Sequence, residues 1–430
     1  MMLLIYGKGK TGESLKDLTE FLKIPSKIID DSEFSQDFEL KNFKKVVVSP
    51  GIPFFHPIFK KTKSQKIEIE GEIEFANRFF DGKIISVIGT DGKSTTTKMI
   101  YEILNSNEKN VFIGGNYGIP FSEVVLNILK NKIKNPTVVL ELSSFQIYST
   151  KKFKPDMAVF LNFSTDHLDW HRKEKHYLLS KLRIFKNITE NDFAILNFDD
   201  EIVKNVQTKA KKYFFSLNPL PDNVEGVYFK DNHIILRTNG KEEILFNSNI
   251  LKLKGKHNIQ NIMAATLTGI LNNVPVKNIQ KILKEFKGLP HRLEFVRNVN
   301  GIDFYNDSKA TTVQAVEKAI SSFDKNIILI AGGINKGNDF SKLNSLLKNK
   351  VKKVYLIGKS KNEIKKMINS STDVETLNDL QEAVLKSFSE AEKGDTVLLS
   401  PGCSSFDMFK NYAERGDFFK KIVNSLEGIK

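Results

Sequence analysis

The sequence predicts an α/β protein made of parallel sheets and crossover helices, and three observations support that class. Short apolar runs alternate with helix-like stretches along most of the 430 residues, which is the pattern of βα units. Hydrophobic residues make up 40% and charged residues 27% of the chain, as in folded globular proteins. The chain also exceeds the ~250–300 residues at which a single core stops growing. We therefore expect several domains.

Ten apolar runs rich in β-branched residues are predicted to form the strands of the parallel sheets. They are Met2–Tyr6, Lys45–Val48, Ile84–Ile88, Thr137–Leu140, Met157–Leu161, Phe193–Leu196, Gly301–Tyr305, Asn326–Ile330, Lys353–Ile357 and Thr396–Leu399. Between Tyr213 and Leu253, shorter runs separated by Asn, Gly, Pro and Asp predict a small antiparallel sheet. The predicted domains are residues 1–70, 71–288 and 289–430, with a linker at Gly288-Leu289-Pro290.

Composition excludes several classes of protein. The single Cys excludes a disulfide framework and any multi-Cys zinc or iron–sulfur site. No apolar run approaches the ~20 residues of a membrane span, and the apolar start of the chain is too short for a signal peptide. We therefore expect a cytoplasmic protein with no membrane partner. The net charge is +14, but only seven of the 65 basic residues are Arg and the Lys residues are scattered. This predicts a solvated surface and no nucleic-acid partner.

The most informative motif follows the predicted strand Ile84–Ile88. It consists of Gly89, Thr90, Asp91, Gly92, Lys93, Ser94 and Thr95, and a helix-like run comes next. Glycines let backbone N–H groups surround a phosphate, Lys93 supplies a charge, and Ser94 or Thr95 can hold Mg²⁺. The strict P-loop spacing asks for Gly at position 87, where this chain has Val87. A glycine-rich turn with a solvated lysine is the alternative, but the strand before it and the helix after it favour a shortened relative of the P-loop, Gly-x-x-Gly-Lys-Ser.

Other predicted strand ends of the central domain carry weaker signals. Glu141 follows the strand Thr137–Leu140 and suits Mg²⁺, although a carboxylate there is more often a solvated cap. His167 and His171 are four residues apart, so a helix would place both on one face, as zinc ligands or as ordinary surface imidazoles. Lys181 has the pattern of a surface lysine on a helix.

The first and last domains carry motifs for anionic ligands. Gly7-Lys8-Gly9-Lys10-Thr11-Gly12 follows a strand, and Asp30 follows the next apolar run. This predicts a Rossmann-like nucleotide site without distinguishing NAD from other nucleotides. In the last domain three strand ends lead into Asn306–Thr311, Ala331–Gly333 with Lys336, and Ser400–Ser405. Their small, hydroxyl and Lys residues predict an anion site, in which Cys403 is a buried small residue rather than a nucleophile.

Together and in this order, the motifs resemble the Mur ligases, which are ATP-dependent, amide-forming enzymes of peptidoglycan precursor synthesis. The stretch from Asp307 to Thr311 is similar to the D-glutamate-adding branch. The resemblance implies a Rossmann-like N-terminal domain, a central P-loop-type ATPase domain and a Rossmann-like C-terminal domain. It rests on Ser49–Pro53, Gly89–Thr95, Gly114–Gly118, Glu141–Gln146, Asp166–Asp169, Lys181–Arg183, His257–Asn258 with Asn261, His291–Arg292, Asn306–Thr311 and Ser400–Ser405.

The resemblance also implies roles for individual residues. The implied ATP-binding residues are Gly89, Thr90, Asp91, Gly92, Lys93, Ser94, Thr95, Asn258, Asn261, Arg292, Asp307 and Lys309. The implied ligands of two Mg²⁺ ions are Ser94, Thr95, Glu141, His167 and a carbamylated Lys181. The implied UDP-sugar contacts are Lys10, Thr11, Asp30, Ser49 and Asn116, and those of the amino acid are Thr311, Lys336, Ser405 and Tyr412. The implied catalytic residues are Lys93, His167, Lys181 and Lys309.

The implied substrates are UDP-N-acetylmuramoyl-L-alanine and D-glutamate, joined through an acyl phosphate by a monomeric enzyme. Four features depart from the family pattern: Asp91 stands where Asn is usual, Asp31-Ser32 stand where relatives often carry Thr and Arg, Tyr117 replaces a usual aliphatic residue, and the first domain is short. A sister ligase for another amino acid and a folate-polyglutamate ligase remain alternatives. An NAD(P)-dependent oxidoreductase built on Gly7–Gly12, or a non-enzymatic nucleotide-binding regulator, leaves the other motifs unexplained.

Overall fold

The computed structural model describes residues 2–35, 37–253, 255–368 and 372–426. It divides the chain into two compact units, Met1–Phe286 and Lys287–Lys430. The described part of the first unit contains a four-stranded and a nine-stranded sheet, and that of the second unit contains a six-stranded sheet. The predicted α/β class is confirmed.

The strands of the first unit are β1 (Met2–Tyr6), β2 (Ser26–Ile29), β3 (Phe43–Val48), β4 (Glu68–Gly71), β5 (Lys83–Ile88), β6 (Val111–Gly115), β7 (Thr137–Glu141), β8 (Met157–Phe160), β9 (Phe193–Asn197), β10 (Lys211–Ser216), β11 (Gly226–Lys230), β12 (His233–Thr238) and β13 (Lys241–Asn247). Its helices are α1 (Lys10–Phe21), α2 (Pro57–Ser64), α3 (Glu72–Asn77), α4 (Lys93–Asn105), α5 (Phe121–Lys130), α6 (Ser144–Tyr148), α7 (Leu168–His171), α8 (Glu174–Leu182), α9 (Glu201–Lys204), α10 (Lys256–Leu271) and α11 (Val276–Glu285).

The strands of the second unit are β14 (Glu294–Val299), β15 (Ile302–Asn306), β16 (Ile327–Gly332), β17 (Val351–Ile357), β18 (Asp373–Thr376) and β19 (Thr396–Leu399). Its helices are α12 (Val313–Ser321), α13 (Asn344–Lys350), α14 (Lys361–Met367), α15 (Leu380–Glu390) and α16 (Tyr412–Ser425). All ten predicted strands of the parallel sheets are present, with ends that move by at most two residues. None of the described helices is long and apolar enough to cross a membrane.

The first sheet is parallel, in the order β2-β1-β3-β4. Tyr6 pairs with Ile29 and with Val48, so the next residue of each strand, Gly7, Asp30 and Ser49, reaches the same edge. A Cβ on Gly12 would lie 1.8 Å from the carbonyl oxygen of Gly7. The third glycine of the motif therefore lets α1 pack directly against the first βα turn.

The second sheet has the order β13-β12-β11-β10-β9-β8-β5-β7-β6. Strand β5 lies between β7 and β8 and is parallel to both. Its apolar residues are buried on both faces: Ile84 and Ile88 join one core cluster, and Ile85 and Val87 join the other. The strand order reverses at β5, and in sheets of this kind ligands bind at such a point beyond the strand's carboxyl end.

The predicted small antiparallel sheet is only partly correct. Strands β11, β12 and β13 are antiparallel to one another, but β10 is parallel to β9 and β11 is parallel to β10. All four therefore extend the central sheet instead of forming a separate one. The connection between β10 and β11 contains Leu220, which is buried against Tyr228 and Ile235. This contact anchors the loop that reverses the chain direction so that β11 can pair in parallel with β10. The local sequence pattern does not predict this contact.

The sheet of the second unit has the order β14-β15-β19-β16-β17-β18, and only the β14–β15 pair is antiparallel among these described strands. Apolar side chains of the central strand β19 alternate between two cores: Val397 and Leu399 face one cluster, and Leu398 faces the other. Both faces of the sheet are thus covered, as expected for a mainly parallel sheet. The loops after β15, β16 and β19 leave it at one edge.

Two carboxylates near α3 are buried in different surroundings. The Oε1 atom of Glu72 accepts a hydrogen bond from the backbone N of Ser122 at 2.6 Å, whereas its Oε2 atom is buried without a hydrogen-bond partner. Burial raises the pKa of the Glu72 carboxyl. Glu74 instead accepts hydrogen bonds from the backbone N atoms of Lys151, Lys152 and Phe153 at 2.8–3.0 Å. Burial therefore destabilises the charged form of Glu72, while the carboxylate of Glu74 is held by three donors.

Glu72→Gln should stabilise the protein at neutral pH, by roughly 1–2 kcal/mol, because it removes a buried carboxylate that lacks a full set of partners. Since the folded-state pKa is raised, wild-type stability should fall as pH rises above about 4.5, the ordinary value for Glu. The variant should lose that component of the pH dependence. Glu74→Gln is the matched control and should destabilise. Thermal unfolding midpoints at pH 5 and pH 8 measure both effects, and a lower midpoint for Glu72→Gln at pH 8 would contradict the expectation.

Candidate active site

The predicted phosphate loop lies between β5 and α4. Gly89 and Gly92 have φ values of 153° and 78°, which glycine adopts at little cost. Gly92 is the N-cap of α4, so the first N–H groups of this helix point into the loop. The Nζ atom of Lys93 donates to the carbonyl oxygens of Gly89 at 3.1 Å and Thr90 at 2.7 Å. These are the conformation and charge that a bound phosphate requires.

Asn162 holds this loop in shape, a role that its place in the sequence did not reveal. Its Oδ1 atom accepts hydrogen bonds from the backbone N atoms of Thr90 at 3.0 Å and Asp91 at 2.8 Å. Its Nδ2 atom donates to the carbonyl oxygen of Asp91 at 3.2 Å. The Oγ1 atom of Thr90 in turn donates to the carbonyl oxygen of Ser164 at 3.1 Å. The segment after β8 therefore fixes the loop from the neighbouring strand.

Asn261, which the resemblance assigns to ATP, also reaches the loop. A Cβ on Gly92 would lie 2.3 Å from the Oδ1 atom of Asn261. The loop and α10 can approach this closely only because residue 92 is a glycine. Asn258 lies one turn earlier on the same helix and is half-buried.

Glu141 ends β7, which is the strand beside β5. Its side chain is buried, and its Oε1 atom accepts a hydrogen bond from the Nδ2 atom of Asn116 at 2.6 Å. Its Oε2 atom is buried and has no hydrogen-bond partner. A carboxylate oxygen with free lone pairs at the end of a strand suits a divalent cation. Ser94 and Thr95, the other predicted oxygen ligands of the central domain, lie in the first turn of α4 and are buried and half-buried.

Lys181 is not a surface lysine. Its side chain is 1% exposed, and its Nζ atom donates to the carbonyl oxygen of Gly89 at 2.6 Å. Burial, reinforced by the nearby charge of Lys93, holds the pKa of Lys181 well below its usual range. A lowered pKa increases the fraction of the neutral, nucleophilic amine at a given pH.

The two histidines do not form the zinc pair that their spacing allowed. His167 has a φ of 53° and lies before α7, with 42% of its side chain exposed. His171 ends α7 and is 1% exposed, and its Nε2 atom lies 2.8 Å from the Oγ atom of Ser144. The positive φ at His167 interrupts the helical spacing. The described residues contain no group of three or more His, Cys, Asp or Glu that could hold a metal ion.

The predicted UDP-sugar residues lie near the edge of the first sheet. The Oγ atom of Ser49 donates to the carbonyl oxygen of Gly7 at 3.4 Å. The Nζ atom of Lys10 donates to the carbonyl oxygen of Gly118 at 3.1 Å, which connects α1 to the turn carrying Asn116. Thr11 follows Lys10 on α1 and is half-buried. Asp30 is at the end of β2, with its Oδ1 atom 3.0 Å from the backbone N of Ser32.

In the second unit, Asp307 follows β15 and is buried. Its Oδ2 atom accepts from the Oγ atom of Ser400 at 2.8 Å, and its Oδ1 atom accepts from the backbone N of Leu293 at 3.1 Å. Burial outweighs these bonds and raises the pKa of Asp307 to about 7. The Nζ atom of Lys309 lies 5.4 Å from the ring centroid of Tyr412. Arg292 precedes Leu293 and is exposed.

The remaining predicted residues for the amino acid come from two further loops. Lys336, after β16, places its Nζ atom 5.7 Å from the ring centroid of Phe406. The adjacent Ser405 is buried, and its loop is paired to the first by a bridge between Ile334 and Ser404. Thr311, which follows the Asp307–Ala310 turn, is exposed.

Arg415 connects these loops, and sequence reasoning gave it no role. It is fully buried on α16 and donates to Ser308 Oγ at 2.9 Å, to the carbonyl oxygen of Ser308 at 2.8 Å and to that of Cys403 at 3.2 Å. Burial lowers the pKa of its guanidinium to about 10. Cys403 is fully buried, as predicted, and burial raises the pKa of its thiol to about 12.

The phosphate loop, the strand-end carboxylate of Glu141 and the buried Lys181 all belong to the first unit, and comparison with known proteins defines the family. Residues 87–269 match the Mur ligase middle domain, and residues 291–403 match the Mur ligase glutamate ligase domain. The chain belongs to the Mur ligase family. Enzymes of this family are ATP-dependent and need Mg²⁺.

Among curated relatives, a UDP-N-acetylmuramoylalanine–D-glutamate ligase of Aquifex aeolicus is 42% identical over 428 residues, covering 98% of each chain. One from Hydrogenobaculum is 43% identical over 427 residues, with the same coverage. Among solved structures, the UDP-N-acetylmuramate–alanine ligase MurC of Thermotoga maritima aligns with a TM-score of 0.60 at 18% identity, covering 99% of each chain. MurF ligase of the same organism, in complex with ADP, has a TM-score of 0.58 at 20% identity, covering 98% of this chain and 95% of its own. The predicted family and fold are confirmed.

Asn162→Ala should weaken nucleotide binding about tenfold, because Asp91 loses the acceptor of its N–H group and Thr90 keeps only the backbone carbonyl oxygen of residue 162. Titration calorimetry with ADP measures the change. Asn131→Ala, at the exposed C-cap of α5, is the control and should bind as the wild type does. Unchanged ADP affinity in Asn162→Ala would show that the loop keeps its shape without this side chain.

Proposed function

We propose that the protein is an ATP-dependent ligase that adds D-glutamate to UDP-N-acetylmuramoyl-L-alanine, acting as a cytoplasmic monomer. The observation that carries the proposal is the phosphate loop whose Gly89 carbonyl oxygen is held by the buried Lys181. The choice of amino acid is supported by the near full-length similarity to D-glutamate ligases.

In this proposal, the following residues are assigned to ATP. Lys93 and the N–H groups at the start of α4 bind its phosphates, with Asn258 and Asn261 on α10. Arg292, Asp307 and Lys309 are assigned to the nucleotide from the family resemblance. The raised pKa of Asp307 leaves its charge responsive to a bound cation, because a neighbouring positive charge lowers the pKa of a carboxyl.

Two Mg²⁺ ions would be held by Ser94, Thr95, Glu141, His167 and a carbamylated Lys181. The buried Oε2 atom of Glu141, which has no hydrogen-bond partner, fits such a ligand. When bound, the ions neutralise charge on the phosphates. Lys181 fits carbamylation because its low pKa favours the neutral amine, the form that reacts with carbon dioxide. The carbamate would add the acceptor oxygens that a lysine lacks.

The chemistry then needs positioning more than covalent help. The substrate carboxylate attacks the γ-phosphorus of ATP, ADP leaves, and an acyl phosphate forms. The amine of D-glutamate attacks the acyl carbon, and phosphate leaves as the amide forms. We assign Thr311, Lys336, Ser405 and Tyr412 to the D-glutamate site and Lys10, Thr11, Asp30, Ser49 and Asn116 to the UDP-sugar.

Phosphate release should require ATP, UDP-N-acetylmuramoyl-L-alanine and D-glutamate together. The first two form the acyl phosphate, and phosphate leaves when the amine of D-glutamate attacks it. The assay omits each component in turn and replaces D-glutamate with L-glutamate, L-alanine and other amino acids. Lys93→Ala is the control for contaminating ATPases. Faster turnover with another amino acid, or none with D-glutamate, would overturn the substrate assignment.

Lys181→Ala should lower phosphate release at least about a hundredfold, because the proposed carbamate oxygens are removed from beside the phosphate loop. Short-chain carboxylates such as acetate should restore part of the rate by supplying those oxygens. Lys186→Ala, at an exposed position, is the control. If Lys181→Ala keeps wild-type activity, the metal role of Lys181 is wrong.

A further inference from the structure

A chain of three hydrogen-bonded side chains, two buried and one half-buried, lies beside the proposed metal ligands without belonging to them. The Oγ atom of Ser144 is 2.8 Å from the Nε2 atom of His171. The Nδ1 atom of His171 is 3.0 Å from the Nδ1 atom of His176. His171 is 1% exposed, so its two ring nitrogens are directed at protein groups rather than at bulk water.

Each member of the chain belongs to a different segment of the proposed site. Ser144 is the first residue of α6, three residues after Glu141. His171 ends α7, and its backbone N donates to the carbonyl oxygen of His167 at 2.9 Å. His176 lies on α8, five residues before Lys181. The hydrogen bonds therefore connect the three segments that supply Glu141, His167 and Lys181.

The position of the proton shared by His171 and His176 sets the direction of both hydrogen bonds. Two Nδ1 atoms facing each other at hydrogen-bond distance share one proton, so one ring donates and the other accepts. If His176 donates, His171 carries its proton on Nε2 and donates to Ser144. If His171 donates through Nδ1, its Nε2 atom accepts from the Ser144 hydroxyl. In both arrangements each ring nitrogen of His171 has a hydrogen-bond partner, and a single proton lies between the two Nδ1 atoms.

Aromatic rings enclose the chain and restrict its motion. The ring of Phe145 stacks on that of His171 with centroids 5.5 Å apart and an interplanar angle of 19°. Trp170 lies 4.5 Å from the His171 ring, and Phe54 lies 4.7 Å from the His176 ring. Phe54 belongs to the loop after β3, so the enclosure draws on both sheets of the first unit. A packed, hydrogen-bonded link of this kind holds its ends at fixed separations.

We propose that His171 is a positioning residue for the proposed reaction: through Ser144 and His176 it sets the separation of the segments that carry Glu141, His167 and Lys181. This inference rests on the proposed function, because the cation is the reason for fixing those separations. Mg²⁺ demands near-ideal octahedral geometry, so ligands from three segments must be placed before the ion binds. His171 itself is not assigned to the ion, the nucleotide or the substrates.

The test measures metal affinity directly, using Mn²⁺ as a paramagnetic probe of the Mg²⁺ sites. The full-length protein, saturated with ADP, is titrated with Mn²⁺ and free ion is followed by electron paramagnetic resonance. His171→Phe, which keeps a ring but removes both hydrogen bonds, should raise the Kd for Mn²⁺ roughly three- to tenfold, in line with the effect of outer-shell partners in metal sites. Ser144→Ala should weaken binding in the same direction. His171→Gln, whose amide can reach the hydroxyl of Ser144, should restore most of the affinity.

His233→Gln, on β12, is the matched control for the loss of an imidazole and should bind Mn²⁺ as the wild type does. If wild type and variants bind Mn²⁺ equally, the positioning role is wrong and the proposed function stands. If the wild type binds no Mn²⁺ beyond that held by ADP alone, the proposed metal role fails and this inference fails with it. If His171→Phe does not fold, Ser144→Ala decides the question, because it removes only one hydroxyl from a short helix.

Discussion

The contact between the buried Lys181 side chain and the carbonyl oxygen of Gly89 is the constraint on which the proposed active site depends. An ammonium buried this deeply would be costly without close partners. Burial and the charge of Lys93 therefore lower the pKa of Lys181. Gly89 begins the phosphate loop with a φ of 153°. The same contact anchors the loop, because the carbonyl oxygen of Gly89 accepts the hydrogen bond from Lys181 on α8. One hydrogen bond thus fixes the phosphate loop and also holds the amine of Lys181, which must be reactive for the proposed carbamate to form.

The parallel sheet explains why residues distant in sequence meet at this contact. The loop follows β5, Glu141 ends the adjacent β7, and Asn162 follows β8 on the other side. Carboxyl ends of parallel strands lie at one edge, where side chains from successive crossovers converge. Helix α8 then brings Lys181 onto the loop, and His171 connects this helix to α6. The second unit uses the same principle, and the buried Arg415 connects its loops after β15 and β19.

The sequence anticipated much of this because part of the information is local. Strand Thr396–Leu399 has the predicted bounds, since apolar runs and turn residues mark strands directly. The phosphate loop was recognisable from its glycines and Lys93. Lys181 was different: its helix pattern is that of a surface lysine, and only the family resemblance assigned it a role. No role was assigned from the sequence to Asn162, His171 or Arg415. Their hydrogen bonds join residues far apart in the sequence, or segments that the local sequence pattern does not show to be close in the fold.

The sequence by itself therefore determined the fold class, most strand positions, the glycines that allow close backbone approach and the family. Tertiary structure decided which side chains became buried. It extended the central sheet through β10–β13 instead of forming a separate one, with Leu220 of the connecting loop packed against Tyr228 and Ile235. It separated His167 from His171 through a positive φ, and it withdrew Lys181 from water. Burial and hydrogen-bond partners are properties of the packed chain, and they set the pKa values and free lone pairs on which the chemistry depends.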